Sequence, residues 1–425
     1  MLTVGLTFLL LVVLIFLGFP IYLAICIAGT VATLAMGDSL LLVATNVFGG
    51  IDSFTLMAIP LFILAGFIMM ECRITDRVVQ FSDALVGRFQ GGLGHVNILS
   101  SMFFGGIQGS GVADASAIGS VMIPAMEQQG YHKDYAVAVT AASAAIGPII
   151  PPSVAMIMFA YYTRLSVGKL FLGGLFPGIL FGLGLMAVNA IAVRRRGYGL
   201  VPKDRSLKTI LLTGFRSSGA LIMPLIIIFG IVGGIFTPTE SGAAAVLYGL
   251  LYGFASRNLR WKRLPAVLIN AANTTAIVMI ILAMSKVFAN VMVRVGFQDL
   301  VITYIVETIG QPHLATLVIM GVLIFLGLFL DPTVLIAMFA MTVHAVGEYL
   351  GFDPIHYGVL MVITMLLGAI TPPVGSMLFV SCSIANLPIE KSVKILLPFI
   401  LVLFLVAVAV LFVPELVLWV AGYVQ

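Results

Sequence analysis

The chain has 425 residues, of which 61% are hydrophobic and only 9% are charged, with a formal net charge of +4. Soluble domains carry roughly 25% charged residues, so this composition excludes a water-soluble fold. The basic residues lie in short loop clusters rather than on one extended face, so nucleic acid is not an expected partner. A bilayer-spanning helix needs about 20 apolar residues, and the length therefore allows about ten crossings of a lipid bilayer.

Ten apolar runs are long enough to span as helices. In chain order they are residues 2–17, 21–36, 54–70, 135–162, 170–193, 220–235, 241–254, 266–287, 357–383 and 393–420. Three amphipathic pieces, 74–89, 207–216 and 297–309, are expected to lie along the membrane interface. The first run lacks a basic segment before it, so we expect a retained helix rather than a cleaved signal peptide.

Two further apolar stretches, 94–126 and 312–350, have glycine, proline or an acidic residue near their centres. Each is interpreted as a re-entrant hairpin that enters and leaves the membrane on one side. Basic clusters at 73–88, 194–196 and 257–263 are expected on the cytoplasmic side. This orientation puts both termini in the periplasm and makes the two hairpins point at each other.

An ungapped internal repeat relates the two halves of the chain. The segment GPIIPP at 147–152 matches GAITPP at 368–373, and the same register pairs Gly130 with Gly351 and Gly106 with Gly327. Because the flanking topology is predicted to be opposite in the two copies, we interpret them as an inverted repeat of the kind that builds many secondary transporters. The alternative is a chance Pro-Pro kink in two unrelated helices.

Each Pro-Pro run removes two amide donors from a predicted spanning helix and leaves carbonyl oxygens without helical partners. Such carbonyls are tolerated at membrane depth only where they line a polar cavity, and hard cations prefer oxygen ligands. Candidate Na⁺ ligands are therefore the carbonyls around Gly147, Pro148 and Ile150 and those around Gly368 and Thr371. A plain structural kink is the alternative for either copy.

The predicted hairpin tips bring further oxygen atoms to these breaks. Ser110 and Asp114 lie in the first tip, and Asp331 and Thr333 lie in the second, with Asp331 at the register of Ser110. An ionised aspartate at mid-membrane depth costs at least about 2.5–3.5 kcal/mol unless it is paired. Both aspartates are therefore candidate cation ligands, and a helix cap is the alternative for each.

An anionic substrate is expected near the tips, because several helix N-termini with their partial positive charge converge there. Ser153 and Ser376, just past the two breaks, are candidate substrate contacts, although serines in membrane helices also serve packing. Lys286 and Arg294 lie near the end of the eighth predicted span, and one of them, with Arg294 as the candidate, is expected to meet a substrate carboxylate; the alternative is that they snorkel to the interface. Glu240 at a predicted helix start is either a helix cap or a functional charge.

These motifs together resemble the large membrane subunit of a TRAP transporter, the tripartite ATP-independent periplasmic system. The resemblance is carried by GSGVAD at 109–114, GPIIPPS at 147–153, FTPTESGA at 236–243, DPT at 331–333 and ITPPVG at 370–375. It implies an elevator mechanism, coupling to two or more Na⁺ ions, and import of a carboxylate, with sialic acid favoured over another sugar acid or a C4-dicarboxylate. It also implies a periplasmic substrate-binding protein and a small four-helix membrane subunit as partners, and no enzymatic activity.

The predicted fold is an all-α polytopic protein of the bacterial inner membrane with about ten transmembrane helices and two opposed re-entrant hairpins. Its predicted divisions are scaffold helices and an arm (1–93), the first transport repeat (94–169), further scaffold (170–311), the second transport repeat (312–388) and a C-terminal transmembrane helix (389–425). The resemblance places one Na⁺ site at Ser110 with the first break and a second at Asp331 and Thr333 with the second break. Two alternatives are a stand-alone Na⁺/carboxylate symporter or ion exchanger, and an intramembrane hydrolase with Ser110 as nucleophile and His344 as base.

Overall fold

The structure is a computed structural model that describes residues 2–198 and 207–422. Within these residues the chain forms twenty α-helices and no β-strand, which confirms the predicted all-α class. In chain order the helices are α1 (Leu2–Phe16), α2 (Ile21–Ala35), α3 (Leu40–Gly49), α4 (Ala58–Glu71), α5 (Ile74–Val86), α6 (Gly92–Gln108), α7 (Gly111–Gln128), α8 (Lys133–Ala144), α9 (Val154–Thr163), α10 (Val167–Arg196), α11 (Leu207–Val232), α12 (Pro238–Ala255), α13 (Leu264–Arg294), α14 (Phe297–Val301), α15 (Pro312–Gly327), α16 (Pro332–Tyr349), α17 (Pro354–Gly368), α18 (Ser376–Ala385), α19 (Ile389–Phe412) and α20 (Glu415–Ala421).

Among the described residues, three helices are long and apolar enough to cross a membrane unaided: α10, α13 together with the 3-10 turn before it, and α19. The pair α4 and α5 passes the same test together but bends by 75° at its break. Seven other apolar helices have 10–17 residues, and a further apolar stretch of this length, Ser217–Val232, is part of the longer helix α11. At about 1.5 Å per residue these are shorter than a hydrocarbon core of about 30 Å, because several of the long apolar runs are divided into two helices.

Three local features differ from the sequence prediction. The amphipathic piece 207–216 and the span 220–235 form one continuous helix, α11, because no proline separates them. Residues 40–49, for which no helix was predicted, form α3. The last predicted run, 393–420, breaks after Phe412, because Pro414 cannot continue the hydrogen-bond ladder of α19; α20 follows and packs against α10.

Two helical hairpins and two broken helices occupy the centre of the molecule. Gly109 and Ser110 join α6 to α7, and residues 328–331 join α15 to α16. The segment 145–153 separates α8 from α9, the segment 369–375 separates α17 from α18, and the Pro-Pro peptide bond in each segment is cis. The two repeats exchange equivalent contacts, since α7 packs against α18 while α16 packs against α9. Reciprocal contacts of this kind are what a twofold relation between two repeats produces.

A glycine pair holds each hairpin against its own broken helix. A Cβ added to Gly105 would lie 2.5 Å from the Cα of Gly147, and a Cβ added to Gly327 would lie 2.7 Å from the Cα of Gly368. Only glycine permits so close a backbone approach. Gly105 is therefore the counterpart of Gly327, one residue away from the predicted partner Gly106, which faces Pro224 of α11 instead.

The remaining helices surround this centre. Helix α12 packs against α4 and α11, α13 against α2 and α4, and α11 against α5. Several of these outer helices also contact the repeats: α19 packs against α8 and α17, α10 against α6 and α17, α13 against α16, and α5 against α6. The division into scaffold and transport segments stays a prediction, to which the packing adds that these outer helices touch the repeats directly.

Candidate functional site

A small cavity of about 90 Å³ lies where the two hairpin tips meet. It is lined by both tips, by part of the first break, and by side chains of the surrounding helices α4 and α13. Four of the predicted site residues therefore share one cavity: Ser110, Pro148, Asp331 and Thr333. The N-termini of α7, α9, α16 and α18 lie at this place, as the sequence predicted for the two tips and the two breaks.

Asp114 lies in the first turn of α7 and is only 1% exposed. It does not cap the helix, because its own amide donates to the carbonyl of Ser110 at 3.0 Å and Ser110 occupies the N-cap position. Within the described part of the chain neither carboxylate oxygen has a well-aligned hydrogen-bond partner, and the hydroxyl of Ser101 is a polar neighbour. The side chain lies beside the first break, since a Cβ added to Gly147 would be 3.5 Å from the Cβ of Asp114.

A chain of buried polar side chains continues from Asp114 between α6 and α8. Ser101 donates to Ser143 at 3.1 Å, Ser143 donates to the carbonyl oxygen of the Asn97 side chain at 3.0 Å, and Asn97 donates to Thr140 at 2.7 Å. All of these residues are at most 1% exposed. The sequence analysis missed this chain. The available signal was the spacing of four between 97 and 101 and of three between 140 and 143, which puts each pair on one helix face.

Asp331 is the N-cap of α16, as the capping alternative for this residue predicted. One carboxylate oxygen accepts hydrogen bonds from the backbone amide of Thr333 at 3.0 Å and from its hydroxyl at 2.6 Å. The other accepts from the hydroxyl of Ser376 at 3.1 Å, across the gap to the second broken helix. Asp331 thus connects the second tip to the second break by a hydrogen bond, and it also lines the central cavity. Its contact with a cation stays a prediction.

Each break is bridged by hydrogen bonds at equivalent positions, but a side-chain hydroxyl makes them in the first break and a backbone amide in the second. In the first, the hydroxyl of Ser153 donates to the carbonyl of Pro148 and accepts from the amide of Met156 at 3.2 Å. In the second, the amide of Met377 donates directly to the carbonyl of Ala369 at 3.0 Å. Ser153 is fully buried and its hydroxyl bridges the break; its contact with a substrate stays a prediction.

The other predicted carbonyl ligands differ in their hydrogen bonding. The carbonyl of Gly368 accepts from the amide of Thr371 at 3.1 Å, and the hydroxyl of Thr371 donates to the carbonyl of Leu367 at 2.7 Å. In contrast, no amide of the described residues donates to the carbonyls of Gly147 or Ile150. The first break therefore keeps the acceptors that a cation requires.

Two predicted functional charges lie elsewhere. Arg294, at the end of α13, donates hydrogen bonds to the Asp38 carboxylate from both terminal guanidinium nitrogens, one of them at 3.2 Å, and it does not line the central cavity. Glu240 forms a capping box with Thr237 at the start of α12, which is its capping alternative. Both side chains are thus held by neighbours on the outer helices.

The sequence matches the family model described as "Tripartite ATP-independent periplasmic transporter, DctM component" over residues 8–416. The chain belongs to this family. It is 35% identical over 410 residues to the sialic acid TRAP transporter large permease protein SiaM of Vibrio cholerae, covering 95% of this chain and 94% of that protein. It is 34% identical to the C4-dicarboxylate TRAP transporter large permease protein DctM of Pseudomonas aeruginosa, covering 89% of this chain and 88% of that protein. The crystal structure of the Alcanivorax borkumensis YdaH transporter shares the fold, with a TM-score of 0.63, 13% identity and 90% coverage of both chains.

Membership in the TRAP family makes this chain a multi-pass membrane protein and a transporter permease subunit, not an enzyme. The hydrolase alternative is therefore wrong. The imidazole of its proposed base, His344, lies 3.5 Å from the carboxylate of Glu348, and His344 does not line the cavity that holds Ser110.

Proposed function

We propose that this TRAP large permease imports a small carboxylate across the bacterial inner membrane, driven by Na⁺, by an elevator movement of the two repeats. The observation that carries Na⁺ coupling is the buried carboxylate of Asp114, which has no well-aligned hydrogen-bond partner among the described residues and lies beside the carbonyls of the first break. A buried charge without partners is strongly destabilising, so a cation or a proton must compensate it. A site built from oxygen atoms alone suits a hard cation such as Na⁺.

The first Na⁺ site in this proposal consists of the Asp114 carboxylate, the Ser110 tip and the acceptor carbonyls of Gly147 and Ile150. The buried chain from Ser101 to Asn97 supports it, because it fixes the polar neighbour of the carboxylate. The residues fit the ion through their chemistry: one negative charge and several neutral oxygen atoms.

The second Na⁺ site is proposed at Asp331 and Thr333 with the carbonyls between Gly368 and Thr371. An ionised carboxylate has about four acceptor positions, and three of those of Asp331 are occupied by Thr333 and Ser376. One acceptor position and the negative charge are left for a cation. Ser376 then acts by orienting Asp331, in place of the direct substrate contact that was predicted for it.

A carboxylate is the proposed substrate because four helix N-termini converge on the central cavity, and helix N-termini favour anions. Sialic acid, another sugar acid and a C4-dicarboxylate are the candidates, and two of these appear in the names of relatives. Pockets for small molecules usually measure about 300–1,000 Å³. The central cavity is smaller, so a movement of the repeats must widen it before such a substrate binds.

The proposed partners are a periplasmic substrate-binding protein and a small four-helix membrane subunit, in a topology with both termini in the periplasm. The alternative is a symporter that works without partners.

A reconstitution experiment distinguishes the tripartite system from the stand-alone symporter. The chain is placed in liposomes with or without the small subunit, and uptake is measured for sialic acid and for a C4-dicarboxylate, each with and without its binding protein. We expect concentrative uptake of one substrate only with both partners and an inward Na⁺ gradient. Uptake by the chain alone would favour the stand-alone symporter, and uptake without Na⁺ would contradict the coupling.

A further inference from the structure

A second, larger cavity of about 540 Å³ lies away from the hairpin tips. We call it the vestibule; it is lined by residues 53–55, 160–161, 164–168 and 237–239. These residues belong to the turn before α4, the end of α9, the start of α10 and the start of α12. The vestibule therefore lies between outer helices and the first repeat. Its volume falls within the range of about 300–1,000 Å³ that is usual for small-molecule pockets, unlike the cavity at the tips.

Arg164 is the charged residue that lines the vestibule, and a second basic residue lies behind its wall. Arg164 is exposed and occupies the C-cap position of α9 with a φ of 58°. Lys286 of α13 lies behind the wall, with its amino nitrogen 5.9 and 5.8 Å from the ring centroids of Tyr161 and Tyr162. The two cations are close enough for their like charges to interact. Across the described ranges, no carboxylate lies within 4.0 Å of either one.

Two acidic side chains, Asp52 and Glu240, lie near the vestibule but do not line it. Asp52 is close enough to interact with Tyr161, but it does not line the cavity. The carboxylate of Glu240 accepts hydrogen bonds from the amide and the hydroxyl of Thr237, both at 2.8 Å, and it does not line the cavity either.

We propose that the vestibule is a second anion-binding site, which receives the carboxylate of the substrate before the central cavity opens. Arg164 binds the carboxylate through paired hydrogen bonds, as guanidinium groups commonly do, and Lys286 adds a second positive charge behind it. The hydroxyls of Ser166 and Thr239 lie in the wall, where the polar part of a sugar acid contacts them. The inference rests on the proposed function, because it takes the substrate to be a small carboxylate.

The test uses the complete complex with its binding protein in liposomes. Arg164→Gln removes the charge from the wall, Arg164→Lys keeps it, and Lys169→Gln is the matched control, because Lys169 lies in the first turn of α10 but does not line the vestibule. Uptake is measured against the concentration of substrate-loaded binding protein. We expect Arg164→Gln to raise the half-maximal concentration about tenfold, the typical effect of losing one charge-assisted hydrogen bond. Arg164→Lys should raise it less, and Lys169→Gln should leave it unchanged.

A labelling experiment separates capture of the substrate from docking of the binding protein. In a Ser166→Cys variant of the complex, which keeps Arg164 and places a thiol in the wall of the vestibule, the thiol reacts with a charged methanethiosulfonate reagent, and free sialic acid or a free C4-dicarboxylate without binding protein should slow this reaction. Protection by the binding protein alone would overturn the proposal, as would equal uptake by Arg164→Gln and Lys169→Gln. Failure of the wild-type complex to show Na⁺-driven uptake would instead count against the proposed function itself.

Discussion

At the scale of single residues, the two aspartates of the hairpins have opposite surroundings. Asp331 accepts three hydrogen bonds from Thr333 and Ser376, whereas Asp114 is buried without a well-aligned donor in the described part of the chain. The sequence analysis made both aspartates candidate cation ligands, with Asp331 at the register of Ser110, and it left capping open for each. Whether a carboxylate caps its helix depends on where the helix begins, and helix starts at a glycine-rich tip are not determined by composition.

Asp331→Asn tests whether the cap also binds a cation. Asparagine keeps an oxygen that caps the helix but loses the charge. If Na⁺ contacts this residue, the Na⁺ concentration for half-maximal uptake should rise severalfold. The matched control is Asp353→Asn, because Asp353 caps α17 through the amides of Ile355 and His356 at 2.8 and 3.0 Å and lies outside the central cavity. If the Na⁺ concentration for half-maximal uptake is the same in both variants, Asp331 only caps its helix and does not bind a cation.

At the scale of elements, the repeat was visible in the sequence because its Pro-Pro runs are rare and share one register. The one-residue shift at Gly105 was not visible, because Gly105 and Gly106 are adjacent and only the packing identifies which one faces the break. Helix α3 and the continuous α11 were missed for a related reason. Apolar periodicity indicates that a segment is helical more reliably than it indicates where the helix begins and ends.

Gly105→Ala and Gly106→Ala form a matched pair that tests this register. The added methyl at Gly105 meets backbone atoms of Gly147 at 2.5 Å, and backbone cannot move aside cheaply. The added methyl at Gly106 meets the Pro224 side chain at 3.2 Å, a smaller overlap. We expect Gly105→Ala to reduce Na⁺-dependent uptake at least tenfold, and Gly106→Ala to reduce it much less. Uptake assays on the assembled complex check this, and the reverse order of effects would contradict the glycine pairing.

Ser153→Ala tests the closure of the first break. The substitution removes the hydroxyl that joins Pro148 to Met156 in a fully buried place, so two backbone groups lose their partner. We expect a loss of about 1–3 kcal/mol in unfolding free energy, read as a lower melting temperature of the purified protein. Ser39→Ala is the control, because Ser39 is an N-cap whose side chain makes no capping hydrogen bond. Similar melting temperatures for both variants would show that the hydroxyl does not stabilise the break.

At the scale of the whole molecule, an all-α membrane protein with duplicated broken helices could be predicted from the sequence. The structure confirms the all-α class, and the family match confirms a membrane transporter subunit. The polar chain from Ser101 to Thr140 and the vestibule were not predicted, although the spacing of the polar residues put each pair of the chain on one helix face. Both are built from residues far apart in the chain, and isolated serines or one arginine are common in membrane proteins with no such role. The role of these residues can be recognised only in the folded structure, where packing brings them together.

The central claim, that Na⁺ binds at the carboxylate of Asp114, is tested most directly by equilibrium binding of radioactive Na⁺ to the purified complex. Wild-type complex should bind Na⁺ saturably. In Asp114→Asn the affinity of one class of sites should fall at least tenfold, because the charge that the ion compensates is gone. Binding by Asp114→Asn indistinguishable from that of the wild type would contradict the assignment.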